Sequence, residues 1–389
     1  MKPGIFGAAF LLVSVSSPSA AVDFSGNLNL EHRQFFQSGL SGQDNEQTSL
    51  VFEPEWFAEW NEGDSTLTFQ PFARIDSLDD DRTHGDIREL MYVHVFDDYE
   101  FHAGIGKVFW GVAESQHLID VVNQSDLVES VDGEQKLGQP MAMLKAVKDW
   151  GTVDVFILPY FRELTFAGTE GRLRPLLPIS DSARYESSAE ESHVDFAARY
   201  SHYIGDWDFG FSWFQGTNRD PYLLVSGNQL VPYYAQMDQV SADIQKVSGS
   251  WLWKLEARYR DSRDNHAAVV GGFEYTFVGG FDSFWDIGVL AEYQYDSRGT
   301  ESQSSSQNDL FVGTRLALND AEGTEILFGI AQDLDHSSAR SGRIEASARI
   351  DNNWKWRANA WWFNSDEPGD FLYFIRKDDF VEFALEYYF

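Results

Sequence analysis

The sequence predicts an all-β fold, a transmembrane antiparallel up-and-down β-barrel of about 18 strands with short turns at one end and long loops at the other. Three observations carry this. Apolar residues alternate with polar ones at period two in segment after segment. Short and long connections between those segments follow one another strictly. Finally, 13 Trp, 16 Tyr and 31 Phe make a chain of 389 residues unusually aromatic, and the Trp and Tyr gather at segment ends, as interfacial girdles do.

Taken in order, residues 1–21 read as a cleavable signal peptide, with Lys2 at its start, an apolar run over 5–15 and a small-residue site at Ser19-Ala20-Ala21. One domain, the barrel, is expected over 22–389. Phe24, Gly26, Leu28 and Leu30 oppose Ser25, Asn27, Asn29 and Glu31 on the first strand. Leu50, Phe52, Trp56, Ala58 and Trp60 oppose Val51, Glu53, Glu55, Phe57 and Glu59 on the second. Tight turns fall at 61–64, 97–99, 148–151, 205–206, 247–250, 278–282, 319–323 and 351–353. Between them lie longer polar connections at 37–47, 77–85, 111–139, 162–192, 216–232, 261–265, 297–307, 333–342 and 364–379. A meandering barrel requires that alternation, whereas a Greek-key sandwich would scramble it.

The count is about 18 strands, or 16 if two weakly patterned segments are dropped. Later strands show the alternation more sharply than early ones. Trp251, Trp253, Leu255, Ala257 and Tyr259 oppose Leu252, Lys254, Glu256, Arg258 and Arg260. Pro54, Pro71 and Pro159 sit awkwardly in a barrel without edges, so bulges or strand ends are expected there. On the last strand Val381, Phe383, Leu385, Tyr387 and Phe389 oppose Glu382, Ala384, Glu386 and Tyr388.

Composition excludes several classes. Without Cys, no disulfide scaffold is available. A net charge of −33 repels nucleic-acid phosphates, and no basic patch offsets it. After the signal peptide no segment approaches the ~18 apolar residues of a membrane helix. No HExxH, P-loop or dinucleotide motif is present. Asp79, Asp80, Asp81, His84 and Asp86 match a calcium loop poorly and read as an acidic outer loop. Asp335-His336-Ser337 and Ser201-His202 are the nearest approach to a hydrolase, but Ser201 and His202 are adjacent on a strand and point apart. Neither an enzyme, a cofactor nor a metal is expected.

The connection over 111–139 is the long exception. Leu118, Val121, Val122 and Ser125 stand at helical spacing, and the stretch is too aliphatic for a solvated loop. It is expected to fold into the barrel as a partly helical constriction. Here two resemblances enter. Gly106-Lys107, Trp110-Gly111, Glu114 and Asp120-Val121-Val122-Asn123 resemble a pattern of porin-like outer-membrane proteins of the alginate-export and related uncharacterised families. The closing strand resembles that of Gram-negative outer-membrane barrels, where a terminal aromatic helps the assembly machinery recognise its substrate; this implies such a role for Tyr387 and Phe389. Asp120 and Asn123 read either as braces of the loop or as solute contacts; His117 and Asp126 complete the set of constriction candidates.

If apolar faces meet lipid, the inward set follows. Glu31, Glu53, Glu55, Glu59, Glu382 and Glu386 would make an acidic wall near the seam. Lys254, Arg258, Arg260, Arg315, Arg343, Arg349, Lys355 and Arg357 would make a basic wall facing it, with a transverse field between. The resulting expectation is a passive, porin-like channel in the outer membrane of a Gram-negative bacterium, bordered by lipid and lipopolysaccharide and passing small hydrophilic solutes, anionic ones included. An export conduit for an anionic polysaccharide and a structural or adhesive barrel with a closed lumen are the alternatives.

Overall fold

Alternation at period two can be satisfied on both faces of a sheet when one face meets lipid and the other is filled or wet. The computed structural model, which describes residues 21–299, 302, 304 and 306–389, shows that solution. Residues 1–20 of the expected signal peptide lie outside the described residues. The wall begins with β1 (Ala21–Phe35), β2 (Glu46–Trp60), β3 (Ser65–Asp76), β4 (Gly85–Phe96), β5 (Tyr99–Gly106), β6 (Gln139–Lys148) and β7 (Gly151–Leu158). After the short β8 (Arg184–Tyr185) come β9 (Asp195–Ile204), β10 (Trp207–Thr217) and a loop hairpin, β11 (Tyr222–Ser226) and β12 (Gln229–Tyr234). The wall resumes with β13 (Gln236–Ser248), β14 (Trp251–Asp261), β15 (His266–Phe277), β16 (Asp286–Asp296), β17 (Asn308–Ala317) and β18 (Glu325–Asp333). It ends with β19 (Arg340–Arg349), β20 (Trp354–Asn364), the single-turn helix α1 (Phe371–Ile375) and β21 (Phe380–Tyr388).

Eighteen of these strands form one antiparallel sheet in which each pairs with its neighbour in the chain. β21 then pairs with β1 from Asn27↔Tyr388 to Phe35↔Phe380, closing the ring. Phe389 extends the ladder, exchanging two backbone bonds of 3.1 Å with Gly26. The short turns fall where the sequence places them, and the long connections gather at the other end. Loop structure of its own was not legible: β11, β12 and β8 make a separate three-stranded sheet there, and α1 lies in the last long loop.

The prolines are handled in three ways. Pro159 follows the last residue of β7. Pro71 stands at a register shift between β3 and β4. The β2–β3 register runs to Phe52↔Ala73 and resumes at Trp56↔Phe69, which sets Pro54 opposite Pro71 in an unpaired gap. Neither has an N–H to lose.

Phe52, Trp56, Leu90, Leu144, Val155, Ile157, Trp253, Leu255, Val289 and Phe383 are exposed on the outer surface. A band of that size would aggregate in water and suits an acyl phase. At the short-turn end the aromatics pack on one another, with Trp251 edge-on to Tyr275 at 4.7 Å and Trp354 tilted against Tyr387 at 4.8 Å. The largest buried apolar cluster lies inside the ring, on one side of it.

Candidate functional site

Residues 107–138 leave the wall at the end of β5 and re-enter it at β6, so the detour starts and ends earlier than the sequence pattern suggested. It contains no helix, contrary to the expectation of a partly helical segment. The aliphatic spacing serves packing instead. Trp110, Ala113, Leu118, Ile119, Val121 and Val122 bury against inward residues of the wall, among them Met91, Met141, Met143, Phe156, Phe214 and Val270. Trp110 is 3% exposed, its ring edge-on to Phe156 at 5.8 Å and beneath the Arg199 guanidinium.

Irregular backbone inside a barrel still needs hydrogen-bond partners. Two wall carboxylates supply them. Glu256 on β14 accepts from the N–H groups of Val112 at 2.6 Å, Ala113 at 2.8 Å and Ile119 at 3.3 Å. Glu292 on β16 accepts from Glu114 N at 3.0 Å, Ser115 N at 2.8 Å and Ser115 Oγ at 2.5 Å. Gly111 has φ 137°, and a Cβ there would stand 2.7 Å from Glu256 Oε1, so this close approach admits only glycine.

Asp120 and Asn123 act within the segment. Asn123 accepts from Val108 N at 2.8 Å and donates to the carbonyls of Gly106 at 2.9 Å and Leu137 at 2.8 Å. Asp120 accepts from Trp110 N at 3.3 Å and pairs with Lys136 at 3.2 Å. Both are loop braces. His117 is edge-on to Phe109 at 5.0 Å and 3.9 Å from Glu134.

The segment crosses the lumen. Glu114 pairs with Arg315 of β17 at 2.8 Å, and β17 is the ninth strand round from β5 in a ring of eighteen, diametrically opposite. Lys254 at 3.9 Å and Arg343 at 3.5 Å also face Glu114. Arg343 lies within 3.9 Å of Asp132 and Glu134, 3.2 Å from Glu345, and between the rings of Phe311 and Trp361. The return half is held on the near side. Asp126 pairs with Arg88 at 2.7 Å, and Glu129 takes a bidentate bond from Arg74 of 2.6 and 2.8 Å. Burial raises the Asp126 carboxyl, but His84 and Arg88 more than offset that and hold it at about 2. Burial lowers the His84 imidazole, and Asp126 and Glu129 raise it above its ordinary value. Ligand atoms of His84, Asp126 and Glu129 come within 4.8 Å of one another, but the guanidiniums of Arg74 and Arg88 make this an ion-pair cluster rather than a metal centre.

An acidic wall facing a basic one is not what the structure holds. Glu31 is ringed by Arg74 at 2.5 Å, Arg82 at 3.3 Å and Arg357 at 3.2 Å. Arg33 pairs with Glu382, and Arg357 with Glu386 at 3.1 Å. Acid and base alternate around the seam. Arg260 is buried and bound to Gln239, Asn218 and Asp220, so it does not line a path. Arg258 is half-buried and donates to the Leu118 carbonyl at 3.1 Å, carrying the segment rather than facing the lumen. Arg349 and Glu59 are exposed at the short-turn end, while Glu53, Glu55 and Lys355 are half-buried on the inner face. Arg33, Arg74, Arg82, Arg88 and Glu129 were missed, although Arg33 shares the inward parity of Glu31 and was legible from it.

Over the long-loop end, residues 159–194 reach back toward the seam. Arg172 donates to Asp378 at 2.8 Å and to the carbonyls of Asp44, Gln37 and Lys377, with its guanidinium 4.1 Å from the centre of the Phe35 ring.

No protein-family model and no curated protein matches the sequence. Solved structures do match at the level of fold. A BenF-like porin from Pseudomonas fluorescens Pf-5 superimposes with a TM-score of 0.56 at 11% identity, over 95% of this chain and 98% of that one. OccK8 (OprE) of Pseudomonas aeruginosa gives 0.54 at 13% identity over 95% and 98%, and OpdQ of the same organism 0.53 at 12% over 95% and 97%. The chain therefore has the fold of an eighteen-stranded, porin-like outer-membrane barrel.

Proposed function

We propose that the protein is an outer-membrane channel for passive diffusion of small hydrophilic solutes, anionic ones among them, with residues 111–139 narrowing the lumen. The observation that carries this is the crossing segment: it packs on one side of the ring and meets the other through Glu114, whose carboxylate faces Arg315 and Arg343, and through Asp132 and Glu134 beside Arg343. Arg315 beside that crossing and Arg357 at the seam keep about a third of their side-chain surface exposed, 35% each. Guanidiniums with free donors at a narrowing suit carboxylate or phosphate groups in transit. Residues 1–21 would direct export, and Tyr387 with Phe389, whose ring lies 5.5 Å from Phe24, would present the assembly signal.

Single-channel conductance in a planar bilayer tests the reading. Wild-type protein should conduct steadily, deletion of residues 112–136 should raise the conductance, and Arg343→Ala should move the reversal potential under a salt gradient toward cation preference. A folded barrel that stays silent with and without the segment would refute it.

A further inference from the structure

The wall is lowest at β5 and β7, which have 8 residues each against 15 in β1 and β2. β5 stops at Gly106, level with Glu89 and Leu90 of β4, so the long-loop end of β4 has β3 on one side and no strand on the other. The gap is a crevice of about 530 Å³ lined by Ile87, Ile105, Pro140, Tyr160, Asp86 and Arg162. Ile105 and Pro140 face one another across β5 and β6 and share the outward parity of the exposed Phe101 and Leu144. Ile87 pairs with Pro71, on the outward side of β3 with Ile75. The crevice therefore opens toward the acyl phase. Gly138 closes its back, where a Cβ would meet the Ile87 carbonyl at 2.3 Å. At the rim, Arg162 donates to the Gly138 carbonyl at 2.8 Å and shares Asp86, at 2.9 Å, with Arg88 at 3.0 Å.

We infer that this crevice binds one lipid A molecule, an acyl chain lying between Ile87, Ile105 and Pro140 and a phosphate meeting Arg162. The inference rests on the outer-membrane reading above, taken with the long loops outside the cell and the short turns in the periplasm, which sets the long-loop end in the outer leaflet. A volume of about 530 Å³ is in the range of small-molecule sites, and an apolar floor with one cationic rim group complements a phosphorylated amphiphile. One Asp86 carboxylate divided between two guanidiniums leaves Arg162 able to accept a second anion.

The test is native mass spectrometry of the full chain released from liposomes containing diphosphoryl lipid A and phosphatidylglycerol. Wild-type barrels should retain one lipid A. Ile105→Trp or Ile87→Trp, each filling the crevice from a different strand, should lose that one adduct, whereas Leu144→Trp on the open lipid face should keep it. Arg162→Gln should lower retention of the diphosphoryl form to that of monophosphoryl lipid A. Equal retention by Leu144→Trp and both crevice variants, or retention of phosphatidylglycerol instead, overturns the inference. Conductance measured on the same preparations separates the readings: a conducting barrel without the adduct refutes the lipid site alone.

Discussion

Two halves of the inner wall differ in kind. Beneath the crossing segment, the long-loop halves of β6 and β7 are apolar on both faces, Met141, Met143, Phe156 and Leu158 inward and Leu144, Val155 and Ile157 outward, and the inward charges Lys145 and Asp154 come only below them. On β17, β19, β20 and β21 the inward positions carry charge, the partly exposed Arg315 and Arg357 beside the buried, ion-paired Arg343, Glu382 and Glu386. The difference teaches that an inward residue stays polar where water reaches it or where the covering backbone needs an acceptor, as Glu256 and Glu292 provide for the segment. Where protein covers the wall, the rule of burial applies on the inside and the rule of lipid on the outside, and alternation vanishes.

The strongest way to break that contrast is to place a charge on the covered side. Met141→Lys buries an ammonium without a partner, a cost of several kcal/mol, and should expel the segment. Conductance should rise to that of the segment deletion, while Ser347→Lys on the open wall should leave it near wild type; equal effects would mean the two halves are not distinct. Next comes Glu256→Ala, which leaves the N–H groups of Val112, Ala113 and Ile119 without their acceptor, at about 3 kcal/mol. Trypsin should then cut the folded barrel at Lys136 faster than wild type, and unchanged cleavage would show that the carboxylate does not hold the segment.

Arg315→Ala should leave Glu114 to Lys254 and Arg343 alone, losing at most about 1 kcal/mol for a partly exposed pair and moving the reversal potential toward cations. The smallest effect is the imidazole of His84, whose ring nitrogen is 3.6 Å from Asp126 and 3.7 Å from Glu129. Its pKa in the folded chain is raised, so its support for docking is complete below the ordinary histidine value of about 6.5 and fades as pH rises through the raised value. Segment cleavage measured against pH should accelerate across that window in wild type and be flat in His84→Gln.

The barrel was legible because its outward rule is local: Trp253 or Phe383 can be assigned to lipid from the residues beside it. Turn positions followed from the same alternation. What the sequence withheld depends on distance across the ring. That Arg33 meets Glu382 follows only from the β1–β21 register, which sets those two residues opposite one another. Glu114 meeting Arg315 depends on where a strandless segment travels, and no periodicity encodes that. Yet β6 and β7 held a clue. A half-strand apolar on both faces within an otherwise alternating barrel announces a cover, and here it marks where residues 107–138 lie.

Pro54 facing Pro71 also has a mechanical side. A closed ladder resists deformation because any change of cross-section must stretch hydrogen bonds somewhere. Two imide nitrogens opposite one another leave a place where the ring can bend without breaking any, so lateral pressure from the bilayer would turn a round cross-section oval about the β2–β3 line. Amide exchange at Phe52 and Trp56, which border the gap, would report that motion as protection lower than at Leu50 and Ala58 on the same strand.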